Sequence, residues 1–227
     1  MTPKQKTEDL FKSLVKKATL KQEVYQNTLS ALGLLKAGMI DLSRKYESLR
    51  NGESKKLPFV YKDRSEFEAE LKFAGDVLVF MMHTNVFEFS RDHEVMKTPY
   101  ILEDKDRSFC GIINVFNFLS DSFKYNRVHD AGYLIGRIFI NKDNHCFIEG
   151  KREIGFLYKN FGTSVMDKER AAEILESSIY YTINFDLLTP PYDQIKEVSV
   201  REFSAVLEPM RLKTGKRLGF KFQADEE

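Results

Sequence analysis

The chain has 227 residues, of which 42% are hydrophobic and 30% are charged. This composition is typical of a globular protein, and it excludes collagen-like, mucin-like and wholly disordered chains. It also excludes a membrane-spanning helix. The longest strongly apolar run without a charged residue covers residues 108–120, which is shorter than the roughly 20 residues that a span needs.

Charge is balanced overall but is distributed unevenly along the chain. Residues 1–56 carry 12 Lys/Arg and 6 Asp/Glu (net +6), residues 57–210 carry 18 and 25 (net −7), and residues 211–227 carry 5 and 3 (net +2). We therefore divide the chain into a basic helical arm (1–56), an α+β body (57–210) and a tail (211–227) that is basic and then acidic. The arm can attract its own body, a second copy, nucleic acid or an acidic lipid surface.

Cysteine usage indicates the compartment. Two cysteines, Cys110 and Cys146, are too few for a disulfide framework. The first eleven residues are polar and lack the apolar stretch of a secretory signal. We therefore predict a cytoplasmic protein with reduced thiols.

The arm has the clearest periodicity. Twelve positions follow a strict 3-4 spacing, and ten of them are hydrophobic: Phe11, Leu14, Ala18, Lys21, Tyr25, Thr28, Leu32, Leu35, Met39, Leu42, Tyr46 and Leu49. This spacing predicts one apolar seam along a helix. Two interpretations stay open: the seam packs on its own body, or it forms a coiled coil with a second copy through its later members, Leu32, Leu35, Met39, Leu42, Tyr46 and Leu49. Gly33 and Gly38 leave open whether the arm is one helix or two.

The body alternates strands and helices. Apolar and charged residues alternate over residues 67–73, which predicts an edge strand whose solvent-exposed face carries Glu66, Glu68 and Glu70. Residues 77–89 carry apolar residues on both faces and predict a central strand. Residues 111–124 predict a helix, because Asn114, Asn117, Asp121 and Lys124 are spaced 3, 4 and 3.

Later segments predict a hairpin and a capped helix. Residues 133–140 and 146–150 flank an Asn-rich turn, and residues 153–158 continue the sheet. Ser164 or Asp167 caps a helix whose apolar face carries Ala172, Leu175, Ile179 and Ile183. A last strand is expected at 195–207.

This order of elements predicts an α+β fold, with a mostly antiparallel sheet of about five strands and helices on one face, preceded by the helical arm. The order resembles that of PAS, GAF and profilin-like sensor domains, although the chain carries none of their signature residues. The resemblance therefore concerns the fold and not the function.

Motifs of catalysis and metal binding are absent from the sequence. The glycine pairs with phosphate-loop spacing lack the Lys that reaches a phosphate, and the four histidines have no paired metal-ligand spacing. We therefore assign no catalytic or metal-binding residue, and no cofactor is indicated.

The strongest ligand candidate is Arg137, which interrupts an otherwise apolar strand. Strand alternation predicts that it shares a face with Tyr133, Ile135 and Phe139, opposite a core face of Leu134, Gly136, Ile138 and Ile140. It either lies over the aromatic rings or binds an anionic small molecule in a cleft. Tyr133 and His83 are the accompanying ligand candidates.

Basic residues alternate with aromatic residues in the tail. Such interleaving binds single-stranded nucleic acid in other proteins, and the candidates here are Arg211, Lys213, Lys216, Arg217 and Lys221. The acidic body and the acidic end of the tail argue against nucleic acid as a partner.

Our first functional hypothesis is a cytoplasmic, non-enzymatic sensor or protein-interaction domain. Its helical arm would form a homo-oligomer or bind a partner protein, and its body would hold a small-molecule ligand. A nucleic-acid-binding protein that uses the arm and tail is the alternative. An enzyme with a dispersed active site is the second alternative.

Overall fold

A single helix runs along the described part of the predicted arm. The computed structural model describes residues 3–49, 57–151, 154–155, 160–187, 189, 191–195 and 197. Helix α1 extends from Pro3 to Leu49 without a break, and its 47 residues span about 70 Å at 1.5 Å per residue. The predicted helix is confirmed, and neither Gly33 nor Gly38 divides it.

The body is built on one antiparallel sheet of seven strands. Six strands follow one another across it in chain order: β1 (Phe59–Ser65), β2 (Glu68–Phe73), β3 (Asp76–Met82), β5 (Phe109–Leu119), β6 (Tyr133–Asn141) and β7 (Cys146–Gly150). The short β4 (Phe87–Glu88) pairs with the start of β5. The predicted α+β class is confirmed, with more strands than the predicted five. The strand β1 is not among those predicted.

Four shorter helices complete the described part of the chain: α2 (Pro99–Glu103), α3 (Ser120–Lys124), α4 (Lys168–Ile183) and α5 (Tyr192–Ile195). Two 3-10 turns, Glu94–Lys97 and Lys105–Ser108, flank α2. Asp167 caps α4 as predicted, because its carboxylate accepts the Arg170 backbone N–H at 2.8 Å. Among these described helices, none combines the length and hydrophobicity of a bilayer span.

One face of the sheet, the inner face, is covered by α1 from residue 20 onward and by α4. The main core joins these elements through side chains that are almost fully buried, among them Leu32, Leu35, Met39, Leu71, Phe80, Ile113, Ile138, Ile148, Ile174 and Leu175. On the margin of the sheet, the Lys36 ammonium group donates a hydrogen bond to the Asp63 carboxylate at 2.8 Å. The Tyr46 ring stacks on the Phe59 ring, with 5.0 Å between the ring centroids. The later half of the arm helix is therefore part of the body's core.

The opposite, outer face is covered at one end only. There, a second core joins Val95, Ile101 and Phe161 to the strand residues Cys110 and Phe139. Both faces of β5 are consequently apolar over this stretch, which is typical of a central strand.

This double burial explains the one clear misassignment in the sequence analysis. The prediction of a helix at residues 111–124 is wrong, since β5 occupies Phe109–Leu119 and only α3 is helical. The helical spacing of its polar residues is accidental. Asn117 lies on the inner face and donates to Asp76 at 3.3 Å, whereas Asn114 lies on the outer face opposite Arg137.

The predicted edge strand is an interior strand. Residues of β2 pair with β1 on one side and with β3 on the other. Glu70 is therefore buried, and its carboxylate forms an ion pair with Arg64 of β1 instead of facing water.

A β-bulge divides the predicted ligand face of β6. Val115 pairs with Gly136 while the next residue, Phe116, pairs with Leu134, so Ile135 is the extra residue. Tyr133 and Ile135 consequently face the inner core, and Leu134 is 42% exposed. Arg137 and Phe139 do share the outer face, with the Arg137 guanidinium 5.4 Å from the centroid of the Phe139 ring. The predicted placement of Tyr133 and Ile135 on that face is wrong, as is the placement of Leu134 in the core.

Other predictions have mixed outcomes. The hairpin of β6 and β7 is confirmed. The predicted apolar face of α4 is rotated, because Ala171, Ile174 and Tyr181 are buried and Ile183 is exposed. Within 153–158 only residues 154–155 are described, and they are helical. Of the strand predicted at 195–207, residues 196 and 198–207 lie outside the described residues.

Two glycines of α1 provide a matched test of the helix packing. A Cβ at exposed Gly33 would meet nothing within 4 Å, whereas one at Gly38 would lie 2.7 Å from Cδ1 of Leu175 on α4. We expect Gly33→Ala to stabilise the protein by up to about 1 kcal/mol, a rise of about 2–4 °C in Tm. Gly38→Ala should stabilise the protein less than Gly33→Ala does, or should destabilise it. Equal gains in thermal unfolding experiments would contradict this packing.

Gly111 of β5 is the second close approach to α1. A Cβ there would lie 2.0 Å from Oγ1 of Thr28, whose buried hydroxyl donates to the Val24 carbonyl at 2.7 Å. We expect Gly111→Ala to destabilise the protein by at least about 1–3 kcal/mol, and Thr28→Ala to restore part of this loss in the double variant. Urea unfolding measures both. Gly75→Ala, at an open turn, is the control and should be close to neutral; the same result for Gly111→Ala would disprove the close approach.

Candidate functional site

The first part of α1 carries an exposed apolar stripe. Leu10, Phe11, Leu14 and Val15 are 64%, 57%, 61% and 63% exposed, respectively. The spacings 10–14 and 11–15 place them side by side along one flank of the helix. We call these four residues the arm stripe.

Two contacts mark where the arm leaves the body. Lys17 places its ammonium group 3.4 Å from the centroid of the Phe109 ring, and Lys16 lies 3.5 Å from the Asp106 carboxylate. From Leu20 onward the helix is anchored, since Leu20 and Val24 form a small buried cluster with Phe109. Residues 5–19 are exposed throughout.

An open groove with a volume of about 500 Å³ lies beside this junction. We call it the root pocket, and its lining consists of Lys21, Gln22, Tyr25, Thr84, Asn85, Val86 and Phe87. The chain between β3 and β4 forms its far wall, and α1 forms the near wall.

The structure does not bring the three predicted ligand residues together. Tyr133 faces the inner core, and Arg137 faces the outer side of the sheet. His83 follows β3 next to the root pocket, where its Nδ1 accepts the Asn85 backbone N–H at 3.0 Å and its ring packs on Phe87 at 4.8 Å. Of the three, His83 is the one whose chain neighbour, Thr84, lines the root pocket.

Arg137 has an internal partner. Its guanidinium forms an ion pair with Glu149, and the same carboxylate lies 3.0 Å from Nε2 of His93. Nδ1 of His93 accepts the Val95 backbone N–H at 3.2 Å, so the proton of the neutral ring is on Nε2 and points to Glu149. Both ring nitrogens are engaged, which leaves His93 without a free lone pair for general-base chemistry.

A polar network ties the loop around α2 to the β6–β7 hairpin. The Tyr100 hydroxyl accepts from Nδ2 of buried Asn141 at 2.9 Å and donates to Asp143 at 3.0 Å. Arg107 reaches the same Asp143 oxygen at 2.9 Å, and the His145 ring stacks on Tyr100 at 5.1 Å. Burial, followed by the hydrogen bond to Asp143, raises the pKa of Tyr100 to about 12.

These groups come from three separate segments, and no spacing in the sequence signals that they meet. Arg107 stacks over the Tyr100 ring at 4.4 Å and also donates to the Tyr100 carbonyl. Each polar group of the network thus has a partner within the chain, which is typical of a structural role.

The two thiols are buried and free of disulfide bonds. Burial raises the pKa of Cys110 well above its usual value and that of Cys146 to about 12. Since the thiolate is the reactive form, neither thiol is activated as a nucleophile. Across the described ranges, no three His, Cys, Asp or Glu side chains are close enough together to hold a metal ion.

The predicted oligomerisation residues lie mostly inside the protein. Leu32, Leu35 and Met39 are fully buried in the main core, and Leu42 packs against it. Tyr46 stacks on Phe59, and Leu49 alone is largely exposed, at 80%. The seam is therefore intramolecular from Tyr25 to Tyr46. The predicted nucleic-acid residues, Arg211, Lys213, Lys216, Arg217 and Lys221, lie outside the described residues.

Comparisons with protein-family models, with curated proteins and with solved structures find no match for this chain.

The Tyr100 network predicts a specific alkaline instability. The pKa of Tyr100 is higher in the folded state than in the unfolded state. The stabilisation that its neutral hydroxyl provides is therefore complete below the unfolded pKa of about 10 and is lost as the pH rises toward about 12. We expect Tyr100→Phe to lower stability near neutral pH, because Asn141 and Asp143 each lose a partner, at about 1–3 kcal/mol. The fall in stability above about pH 10 should be smaller in the variant than in the parent.

Urea unfolding midpoints at about pH 8 and about pH 11 measure this difference. Tyr180→Phe is the matched control, because Tyr180 is largely exposed; it should leave both midpoints unchanged. A parallel alkaline fall in the parent and in Tyr100→Phe would contradict the assigned role.

Proposed function

We propose that this protein is a cytoplasmic, non-enzymatic interaction domain that self-associates through the arm stripe of α1. The observation that carries the proposal is the exposure of Leu10, Phe11, Leu14 and Val15, each more than half accessible to solvent. Single exposed apolar residues are ordinary, but contiguous ones on a projecting helix are typical of an interaction site.

The position of the stripe determines which part of the arm associates. Because residues 20–46 of α1 pack on their own sheet, the free part of the apolar surface lies before Lys16. A second copy offers an identical apolar stripe, and pairing the two removes both from water.

Charge gives this association a characteristic salt dependence. Residues 5–19 hold four Lys (6, 12, 16 and 17) and two acidic residues (Glu8 and Asp9), a net charge of +2. Two such arms repel each other, and salt screens the repulsion. Self-association should therefore strengthen with ionic strength, whereas binding to nucleic acid or to an anionic surface should weaken.

The cytoplasmic location and the non-enzymatic role are supported by the condition of the two thiols and of His93. Two buried, unpaired thiols are typical of a reducing compartment such as the cytoplasm. Both nitrogens of His93 are engaged and neither thiol is activated, which favours a binding role over a catalytic one.

Replacement of the stripe leucines tests the proposal. We expect Leu10→Ser combined with Leu14→Ser to convert a dimer into a single chain in sedimentation experiments over a range of protein concentrations. Each buried Leu contributes about 1.5–3 kcal/mol, so the dissociation constant should rise by about 100-fold or more. At protein concentrations low enough for the parent to be a single chain, the free energy of unfolding should change by less than about 1 kcal/mol, since both side chains are exposed there.

Lys12→Ser is the matched control, because Lys12 is exposed on the same segment outside the stripe. It should keep the dimer, or strengthen it by removing a positive charge. A parent protein that is monomeric at every concentration, or a double variant with unchanged mass, would disprove self-association through the stripe.

A further inference from the structure

We propose that the root pocket binds a small planar ligand that carries one anionic group. This inference goes beyond self-association, since the pocket lies C-terminal to the arm stripe and shares no residue with it. Its volume of about 500 Å³ lies within the range of pockets that hold small molecules.

The charge of the lining favours an anion. Lys21 is the only charged residue among the seven that line the pocket. In the part of the chain that the structure describes, no carboxylate forms an ion pair with it. A lone ammonium group beside the pocket attracts one anionic group, such as a carboxylate or a phosphate, and does not match a polyphosphate.

Hydrogen-bond donors without a protein partner also line the pocket. Within the described ranges, the side chains of Gln22, Thr84 and Asn85 make no hydrogen bond to the protein, and neither do the backbone amides of Thr84 and Val86. Lone donors next to a cation are the groups that recognise carboxylate or phosphate oxygens.

Apolar surface provides the other half of the pocket. Val86 and the rings of Tyr25 and Phe87 contribute to the lining, and Phe87 is 38% exposed. Tyr25 is fixed by an edge contact with Phe67 at 6.4 Å. Aromatic surface of this kind favours a flat ring.

The pocket is also held in shape without a ligand. His83 fixes the far wall through the Asn85 N–H and the Phe87 ring, at 3.0 Å and 4.8 Å. On the near wall, α1 is anchored by buried Val24 and by Phe109, with Val86 packed against them. A preformed site loses less entropy when it binds.

Phenyl phosphate, which joins one ring to one anionic group, is a suitable probe. We expect its titration, followed by the backbone amide signals in NMR spectra, to shift the signals of Thr84, Asn85, Val86 and Phe87 saturably. Inorganic phosphate and benzyl alcohol, which each supply half of the probe, should bind at least about tenfold more weakly, a difference of about 1.4 kcal/mol.

Lys21→Met removes the charge and keeps most of the side chain. It should weaken phenyl phosphate binding at least about tenfold, whereas Lys12→Met, an equal change of charge on the same helix outside the pocket, should leave binding unchanged. Both substitutions are made in the Leu10→Ser, Leu14→Ser background, so that the result does not depend on whether the arm self-associates.

Three outcomes would overturn the inference. The first is that phenyl phosphate does not shift these four amide signals. The second is that Lys21→Met binds it as well as Lys12→Met does, and the third is that inorganic phosphate binds as tightly as phenyl phosphate, which indicates an adventitious anion only.

Discussion

The close approach of α1 to the inner face of the sheet is the contact on which the rest of the structure depends. Two glycines permit it. Gly111 leaves room for the buried Thr28 side chain against β5, and Gly38 leaves room for Leu175 of α4. At these distances, Leu32, Leu35 and Met39 are fully buried between the helices and the strands. Without the helix, this face of the sheet would expose a row of large apolar side chains.

The same helix has two environments along one continuous backbone. Its later half is a core element, whereas residues 5–19 are exposed, and Lys16 and Lys17 contact the body where this exposed part ends. The change occurs where β4 and the start of β5 end the surface on which the helix lies, near Phe109. The root pocket forms at this boundary, because the chain between β3 and β4 leaves the regular sheet there. The two proposed binding features are therefore neighbours for a structural reason.

Local periodicity could predict the helices of the arm and of residues 168–183, and turn residues could predict the β6–β7 hairpin, since these patterns depend on nearby residues alone. The strand β5 could not be predicted in this way, because both of its faces are buried and its Asn spacing imitates a helix. The bulge at Ile135 reverses the faces of β6 through one unpaired residue, which alternation cannot reveal. Of the exposed stripe, Phe11 and Leu14 were visible as members of the seam, but its boundary at Lys16 depends on the sheet. Tyr100 and Asn141 meet only through the fold.

The order of α1 and α4 in the chain has a consequence for biosynthesis. Gly38 of α1 packs against Leu175 of α4, and the ribosome adds the 137 residues from 39 to 175 at about 5–20 residues per second. The seam of α1 therefore leaves the ribosome about 7–27 seconds before its last partner is made. Throughout that interval Leu32, Leu35 and Met39 face solvent or the incomplete sheet. A nascent chain in this state offers an apolar helix to any chaperone or neighbouring chain that it encounters, and slower translation lengthens the exposure.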